Sequence, residues 1–298
     1  MDRLQAMSAF VAVVETGGFA RAARRLGLSP PVVTRAVAEL EEHLKLRLLT
    51  RTTRVVRVTE AGAQYAEDCR RILAEIEHAE GRALGGESRP QGRLVLTAPQ
   101  LFGHLYVTPV VVAYLQRWPE VDVTCLFQDR VTNLLEENID VAVRIGELPD
   151  SSLKATRLGR VRRIVVGAPA YFERHGRPRR PEDLWAHTIV SNGAPASYDW
   201  RFVDGGRASS LRMRPRLHTS TNDSAIAAAA AGFGITRVLS YQAAPLLAGG
   251  ALEIVLAEFE AEPWPVHVVH GPGRRPPAKV KAFVEAAVEM LRGHPALA

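Results

Sequence analysis

Cysteine is almost missing from this chain: Cys69 and Cys125 are the only two in 298 residues. Two thiols exclude a disulfide-stapled extracellular scaffold and point to a reducing compartment. Long apolar runs are missing as well. The longest, residues 225–233, is broken by Gly232 and falls far short of a bilayer's thickness. Asp2 stands close to the start and the N-terminal apolar stretch ends at Glu15, so it reads as part of a helix rather than a leader, and a cytoplasmic protein is expected. No GxSxG, HExxH or phosphate-binding loop occurs. Nine histidines show no metal-ligand spacing, and His267 and His270, three apart on a strand, point to opposite faces. Neither catalysis, a cofactor nor a metal is therefore expected.

A chain with 47% hydrophobic and 23% charged residues is an ordinary folded protein, long enough for two or three domains. Its charge is unevenly placed. Residues 18–58 hold nine Lys and Arg against three acids, whereas 59–89 hold four against seven and 90–298 hold 24 against 20. A basic excess confined to one short stretch is what attraction to a polyanion requires.

That stretch, GFARAARRLGLSPPVVTRAVAELEEHLKLRLLTRTTRVVRV, predicts a helix, a tight turn at Gly27, a second helix and a basic hairpin. Ser29 is placed to cap the second helix through its hydroxyl, with Pro30 and Pro31 in the first turn, where a missing N–H is harmless. Val33, Val37, Leu40 and Leu44 recur at helical spacing and should be buried. The opposite face offers Pro31, Thr34, Arg35 and Ala38, short or cationic side chains suited to base edges and phosphates in a major groove. Glu41 and Glu42 follow where the helix would leave the duplex. Residues 3–15, with Leu4, Met7, Phe10, Val11 and Val14, supply a third helix, and Phe19, Ala22, Ala23 and Leu26 the apolar side of the short one. Arg51, Arg54 and Arg57 alternate with Val56 and Val58 as a wing for phosphates. The sum is a winged helix-turn-helix over 1–58 that reads double-stranded DNA.

Thr59 can cap a further helix, in which Ala61, Tyr65, Cys69, Ile72, Ile76, Ala79 and Ala83 alternate in steps of four and three. Such a helix is roughly 37 Å long at ~1.5 Å per residue, more than the small reader can cover. Either it packs on the C-terminal domain or it pairs with its copy; pairing is the favoured use, which makes Tyr65, Cys69, Ile72 and Ile76 dimerisation residues and gives two readers for two half-sites. Gly85, Gly86, Ser88 and Pro90 mark a hinge, so 59–89 reads as linker.

From residue 90 the pattern turns to strands alternating with helices, an α/β domain over 90–298. Strands are expected at 94–97, 121–127, 139–145, 161–167, 188–191, 235–239, 252–256 and 266–269. Helices are expected at 101–117, 131–137, from Pro169, at 221–231 and at 277–291, with a hairpin of 200–203 against 209–214. One lobe takes 90–162 and 266–298, the other 163–265. A small, anionic ligand belongs between them, at strand C-terminal ends and helix N-termini. The residues so placed are Thr97, Gln100, Leu101, Phe102, Arg144, Ile145, Gly146, Ser191, Asn222 and Thr236, with Phe102 as an apolar wall. The arginine clusters at 157–163, 177–180 and 212–216 read as solvated surface.

The run GFARAARRLGLSPPVVTRAVAELEEHL followed by RTTRVVRVTEAG resembles the N-terminal domain of LysR-type transcriptional regulators, closely over about the first 85 residues and loosely in layout beyond. The resemblance implies DNA contacts from Pro31, Thr34, Arg35 and the wing arginines, Arg51 and Arg54 among them; Arg21, Ser29, Pro30, Ala38 and Thr53 are expected beside them at the DNA-binding surface. It also implies a two-lobed effector domain related in layout to periplasmic binding proteins, a dimerising linker helix, a homotetramer and RNA polymerase as a partner. Three residues depart from the family pattern: Pro30 for the usual Gln, Gly18 for a Ser cap, and Lys45 for the Gly that ends the reading helix. An architectural DNA binder whose C-terminal domain only oligomerises is the second reading; gain of stability with a ligand separates the two.

Overall fold

In the computed structural model, which describes residues 2–51, 56–83, 89–149, 152–193, 198–272 and 276–298, helices form at the N-terminus where apolar residues recur every three or four positions. Helix α1 (Arg3–Thr16) is capped by Asp2, whose carboxylate accepts from the Leu4 amide at 3.2 Å, and ends on Gly17 at φ 67°. The short α2 (Phe19–Leu26) ends on Gly27 at φ 66°, a left-handed turn that glycine adopts without strain. Helix α3 (Pro30–Leu44) then begins with both prolines in its first turn. Its last turn closes on Lys45 at φ 52°, so the missing glycine leaves a lysine in left-handed backbone. Strands β1 (Leu49–Arg51) and β2 (Val56–Val58) pair antiparallel as the wing, and α4 (Glu60–Ala83) follows.

Phe10, Val13, Val33, Val37 and Leu48, all fully buried, form the centre of this unit's core. Two expectations change here. Met7 and Phe10 are buried as expected, but the rest of the buried stripe of α1 runs through Ala6, Ala9, Ala12 and Val13, with Leu4, Val11 and Val14 at its edges. The Ser29 hydroxyl makes no capping bond; the prolines themselves remove two of the amide donors a cap would satisfy.

Thr59 caps α4 as expected, its Oγ1 accepting from the Gly62 amide at 2.9 Å. The idea that nothing in the reader covers this helix is corrected. Ala66 and Cys69 are fully buried in the reader's own core, and Tyr65, Ile72 and Leu73 pack against it, Tyr65 with its ring centroid 6.0 Å from that of Phe10. Burial pushes the Cys69 thiol up to about 11. Cys69 is thus withdrawn from any partner, while Ile76 lies half-buried on the distal part of the helix.

The second unit spans Arg89–Ala298. Its elements in order are β3 (Gly92–Ala98), α5 (Gln100–Phe102), a π-helical turn at Gly103–Val107, α6 (Thr108–Arg117), β4 (Val121–Phe127), β5 (Val141–Ile145), β6 (Lys154–Val161) and β7 (Arg163–Gly167). After them come α7 (Pro169–His175), β8 (Val190–Asn192), the hairpin β9 (Asp199–Asp204) and β10 (Arg207–Arg212), β11 (Leu217–Thr219), α8 (Asn222–Ala230), β12 (Thr236–Leu239), α9 (Ser240–Ala248), β13 (Glu253–Val255), β14 (Trp264–His270) and α10 (Ala278–Leu291). One sheet has the order β4-β3-β5-β14-β6, with β3 parallel to β4 and β5. A second has β7 between β12 and β13, all antiparallel, and β8 pairs in parallel with β11. The chain leaves the first sheet at residues 161–163 and returns at 256–264. Helix α10 then packs back on the first sheet through Val280, Phe283, Ala287 and Leu291.

Three elements went unpredicted: β6, β11 and α9. The expected helix at 131–137 is irregular chain followed by turns at 134–138: a single helical bond forms, from the Glu137 amide to Asn133 O at 3.0 Å, before Asn138 turns left-handed at φ 51° and ends it, while the Glu137 carboxylate pairs with Arg130 and accepts from the Asn133 amide.

Candidate nucleic-acid interface and ligand cleft

Helix α3 has two chemically opposite faces. Val33, Ala36, Val37 and Leu40 are buried, while Pro30, Pro31, Val32, Arg35 and Ala38 are exposed and Thr34 is half-exposed. The polar strip expected to meet DNA therefore faces away from the unit's own core. The Arg35 side chain is 81% exposed and its Nε donates to Glu39 Oε1 at 2.7 Å, one turn along. That contact holds the Glu39 carboxyl below the usual carboxylate range. An exposed pair of this kind is worth little, so Arg35 can be drawn away by a phosphate or a guanine edge at small cost. Ser29 lies exposed at the helix start, its hydroxyl unused for capping. Arg21 is exposed on α2, with Nη2 donating to Gly17 O at 3.2 Å. Arg51 ends β1, and Thr53 and Arg54 lie outside the described residues.

The carboxylate that sequence reasoning misplaced is Glu41. It is 8% exposed, and its Oε1 accepts from the amides of Leu48 and Leu49 at 2.8 and 2.9 Å, with Arg47 Nη1 at 3.6 Å from the other oxygen. Instead of leaving a duplex, it ties the end of the reading helix to the first wing strand. A lone glutamate beside Glu42 carries no sequence signal for this, since its partners are seven and eight residues away across a turn.

In the second unit the expected ligand residues fall into two groups. Thr97 and Arg144 sit at the C-terminal ends of the adjacent parallel strands β3 and β5, with Gln100 and Leu101 just beyond β3. Thr97 Oγ1 donates to Leu126 O at 2.5 Å, and the Gln100 amide donates to Asp129 Oδ1 at 2.9 Å. Arg144 turns its Nη2 to Thr132 O at 2.8 Å, beside a cavity of about 410 Å³ whose apolar wall includes Val131, Leu134 and Leu135. Ile145 and Gly146 are half-buried, the glycine at φ 110°.

The other group gathers where β8, the start of β12 and the N-terminus of α8 meet. Asn192 Nδ2 donates to Asn222 Oδ1, Ser191 is buried, and Thr236 is fully buried with its Oγ1 lacking a partner among the described residues. A buried hydroxyl without a partner is unfavourable, so this corner has hydrogen-bonding capacity to offer. Asp223 sits in the first turn of α8, where a carboxylate already meets the positive end of the helix dipole.

Phe102 is a correction. It is fully buried, its ring centroid 5.1 Å from both Tyr106 and Tyr241, so it belongs to the apolar core and walls no cleft. Its neighbour Leu101 packs against the core clusters of both sheets. A cavity of about 670 Å³ between Phe172, the 176–179 segment and 254–258 is lined by none of the residues expected to hold a ligand. No helix of the described residues is long and apolar enough to cross a membrane, and they hold no cluster of metal-ligating side chains.

Residues 4–63 match the family model described as bacterial regulatory helix-turn-helix protein, lysR family, and 87–292 match the LysR substrate binding domain. An HTH-type transcriptional regulator of Xanthomonas campestris pv. campestris (strain 8004) is 34% identical over 287 residues, 95% of this chain and 83% of that one. An HTH-type transcriptional repressor of Pseudomonas aeruginosa (strain UCBPP-PA14) is 32% identical over 298 residues, 99% of this chain and 94% of that one. Among solved structures, CrgA of Neisseria meningitidis, a LysR-type transcriptional regulator, is 31% identical with a TM-score of 0.63, covering 96% of this chain and 98% of that one.

Proposed function

This chain belongs to the LysR-type family of transcriptional regulators, and from that premise we propose that it binds two operator half-sites through α3 and changes its grip when a small anionic metabolite enters the C-terminal unit. The observation that carries the reading is the exposed strip Pro30, Pro31, Thr34, Arg35 and Ala38 on a helix whose other face is buried. Around it stand the exposed Arg21, Arg24 and Arg47, the source of non-specific, salt-sensitive attraction to phosphates. A helix of this width and chemistry fits a major groove.

Distal α4, from Ile76 onward, pairs two subunits, and two such dimers form a tetramer that meets RNA polymerase at the promoter. The metabolite engages Ser191, Asn222 and Thr236 from one sheet and Thr97 and Gln100 from the other, so closing one sheet toward the other changes the spacing of the readers. The protein acts in the cytoplasm, where its DNA is.

Binding of the full chain to the DNA upstream of its own gene tests the proposal. Sequence-selective binding is expected, ~10³-fold or more over a scrambled duplex, weakening steeply with added salt. Equal affinity for the scrambled duplex would remove the claim.

A further inference from the structure

Arg163 and Arg237 lie diagonally opposite on one face of the second sheet. The register pairs Arg237 with Val165 and Leu239 with Arg163, so side chains two residues apart project to the same side. Thr236 and Val238 point to the other face, with Val166 and Ile164. The two guanidiniums are thus on the face of β12 and β7 away from Thr236, outside the ligand residues described above.

Each guanidinium is stacked on a tryptophan. Arg163 Cζ lies 3.8 Å from the Trp264 ring centroid, and Arg237 Cζ lies 5.2 Å from that of Trp200. Arg237 spends two donors on main-chain oxygens, Nη1 on Arg201 O and Nη2 on Asp199 O, both at 3.2 Å. Neither arginine, nor the neighbouring Arg201, has a carboxylate within salt-bridge distance among the described residues, and the side chains of Arg163 and Arg201 donate no hydrogen bond there. Burial pushes the Arg237 guanidinium down, and the like charges of Arg163 and Arg201 push it the same way. It stays charged at neutral pH all the same.

Partly buried like charges without a counter-charge are unfavourable, and pairing them offsets the loss. Nearby arginines that do have acids show the contrast: Arg162 faces Glu260 at 3.5 Å, and Arg212 faces Asp199 at 2.7 Å. Two planar forks held rigid by indole stacking, with donors unspent, suit the oxygens of a carboxylate or phosphate group.

We propose that Arg163 and Arg237, flanked by Arg201, form an anion-binding site at the crossing between the two sheets, taking a small molecule that carries a carboxylate or phosphate. Arg163 opens β7 immediately after the outgoing crossing, and Trp264 opens β14 at the return. An anion bound there bridges β7 and β12, and reaches the returning strand through the Arg163–Trp264 stacking. The arginine cluster at 157–163 is therefore more than solvated surface at its last member. This site goes beyond the sensing role proposed above and stands without it.

The test is thermal unfolding of the full chain in chloride, in inorganic phosphate and in succinate at matched ionic strength. One or both oxyanions should raise the melting temperature of the C-terminal unit by about 2–4 °C over chloride. Phosphate alone assigns a phosphorylated ligand, and succinate alone a carboxylate. The rise should vanish in Arg237→Met and in Arg163→Met, either of which serves if the other fails to fold. In chloride, Arg237→Met should melt no lower than the wild type, because it removes an uncompensated charge. Asn222→Ala should keep the rise. A rise equal in wild type and both arginine variants, no rise with either oxyanion, or a rise lost only in Asn222→Ala overturns the proposal.

Discussion

Replacing Glu41 with alanine should destabilise the N-terminal unit by ~2–5 kcal/mol, since each buried amide left without an acceptor costs ~1–3 kcal/mol. Two such amides, those of Leu48 and Leu49, converge on one oxygen of Glu41. They belong to the segment that turns the chain from α3 into the wing, so losing their acceptor frees β1 from the end of the reading helix. Glu41→Gln is the informative companion. Glutamine keeps an acceptor oxygen in the same place but gives up the charge, and hydrogen bonds to a neutral acceptor are weaker. It should lose about 1 kcal/mol, a minor part of the alanine effect. Urea unfolding followed by a signal from the N-terminal unit measures both. Equal, small losses would mean that water satisfies the amides and that Glu41 is an ordinary surface carboxylate.

The second large effect is expected at Gly62. A Cβ there would lie 2.0 Å from Leu48 O and 2.9 Å from its carbonyl carbon, both main-chain atoms. That carbonyl cannot retreat freely, because it accepts from the Thr59 amide at 3.0 Å and from Thr59 Oγ1 at 3.1 Å. Gly62→Ala therefore forces α4 away from the wing and loosens the packing of Ala66 and Cys69 against α1. The expected loss is ~3 kcal/mol or more, the upper end of overpacking effects, despite alanine's better helix propensity. Labelling of Cys69, fully buried in the native unit, gives a second readout: its thiol should react with a maleimide in Gly62→Ala and stay protected in the wild type. A variant as stable as the wild type would mean that α4 is not seated on the reader in solution.

Glu41 and Gly62 also mark the limit of what the sequence discloses. Helix α3 was legible because its signals are local: two prolines can only open a helix, and Val33, Val37 and Leu40 repeat at one spacing. Strand β4 and helix α10 were legible for the same reason. Helix α9 was not, because Pro245 inside it reads as a breaker; it forms because the Leu239 amide donates to Gln242 Oε1 at 2.9 Å and its apolar side is buried. Strand β6, KATRLGRV, buries Leu158 and Val161, three residues apart and so without the alternation of a strand, and its identity comes from the seven-residue pairing with β14. At the candidate sites the exposed face of α3 followed from periodicity, whereas the roles of Phe102 and Arg144 did not. An aromatic after a strand end can line a cleft or plug a core, and only the rings of Tyr106 and Tyr241, which meet it in space, decide between them. The pairing of Arg163 with Arg237 depends on a strand register that joins positions 74 residues apart.

The central claim is that the exposed strip of α3 reads base edges, and Arg35→Ala tests it most directly. Among the described residues the side chain of the exposed Arg35 has the surface carboxylate of Glu39 as its polar partner, so its removal should leave stability within ~0.5 kcal/mol of the wild type. Affinities of wild type and variant for the selected upstream duplex and for a scrambled one, at a single salt concentration, give the decisive ratio. The account predicts that preference for the selected duplex falls by ~5- to 150-fold, equivalent to ~1–3 kcal/mol, while affinity for the scrambled duplex changes far less. An undiminished preference in Arg35→Ala would contradict it.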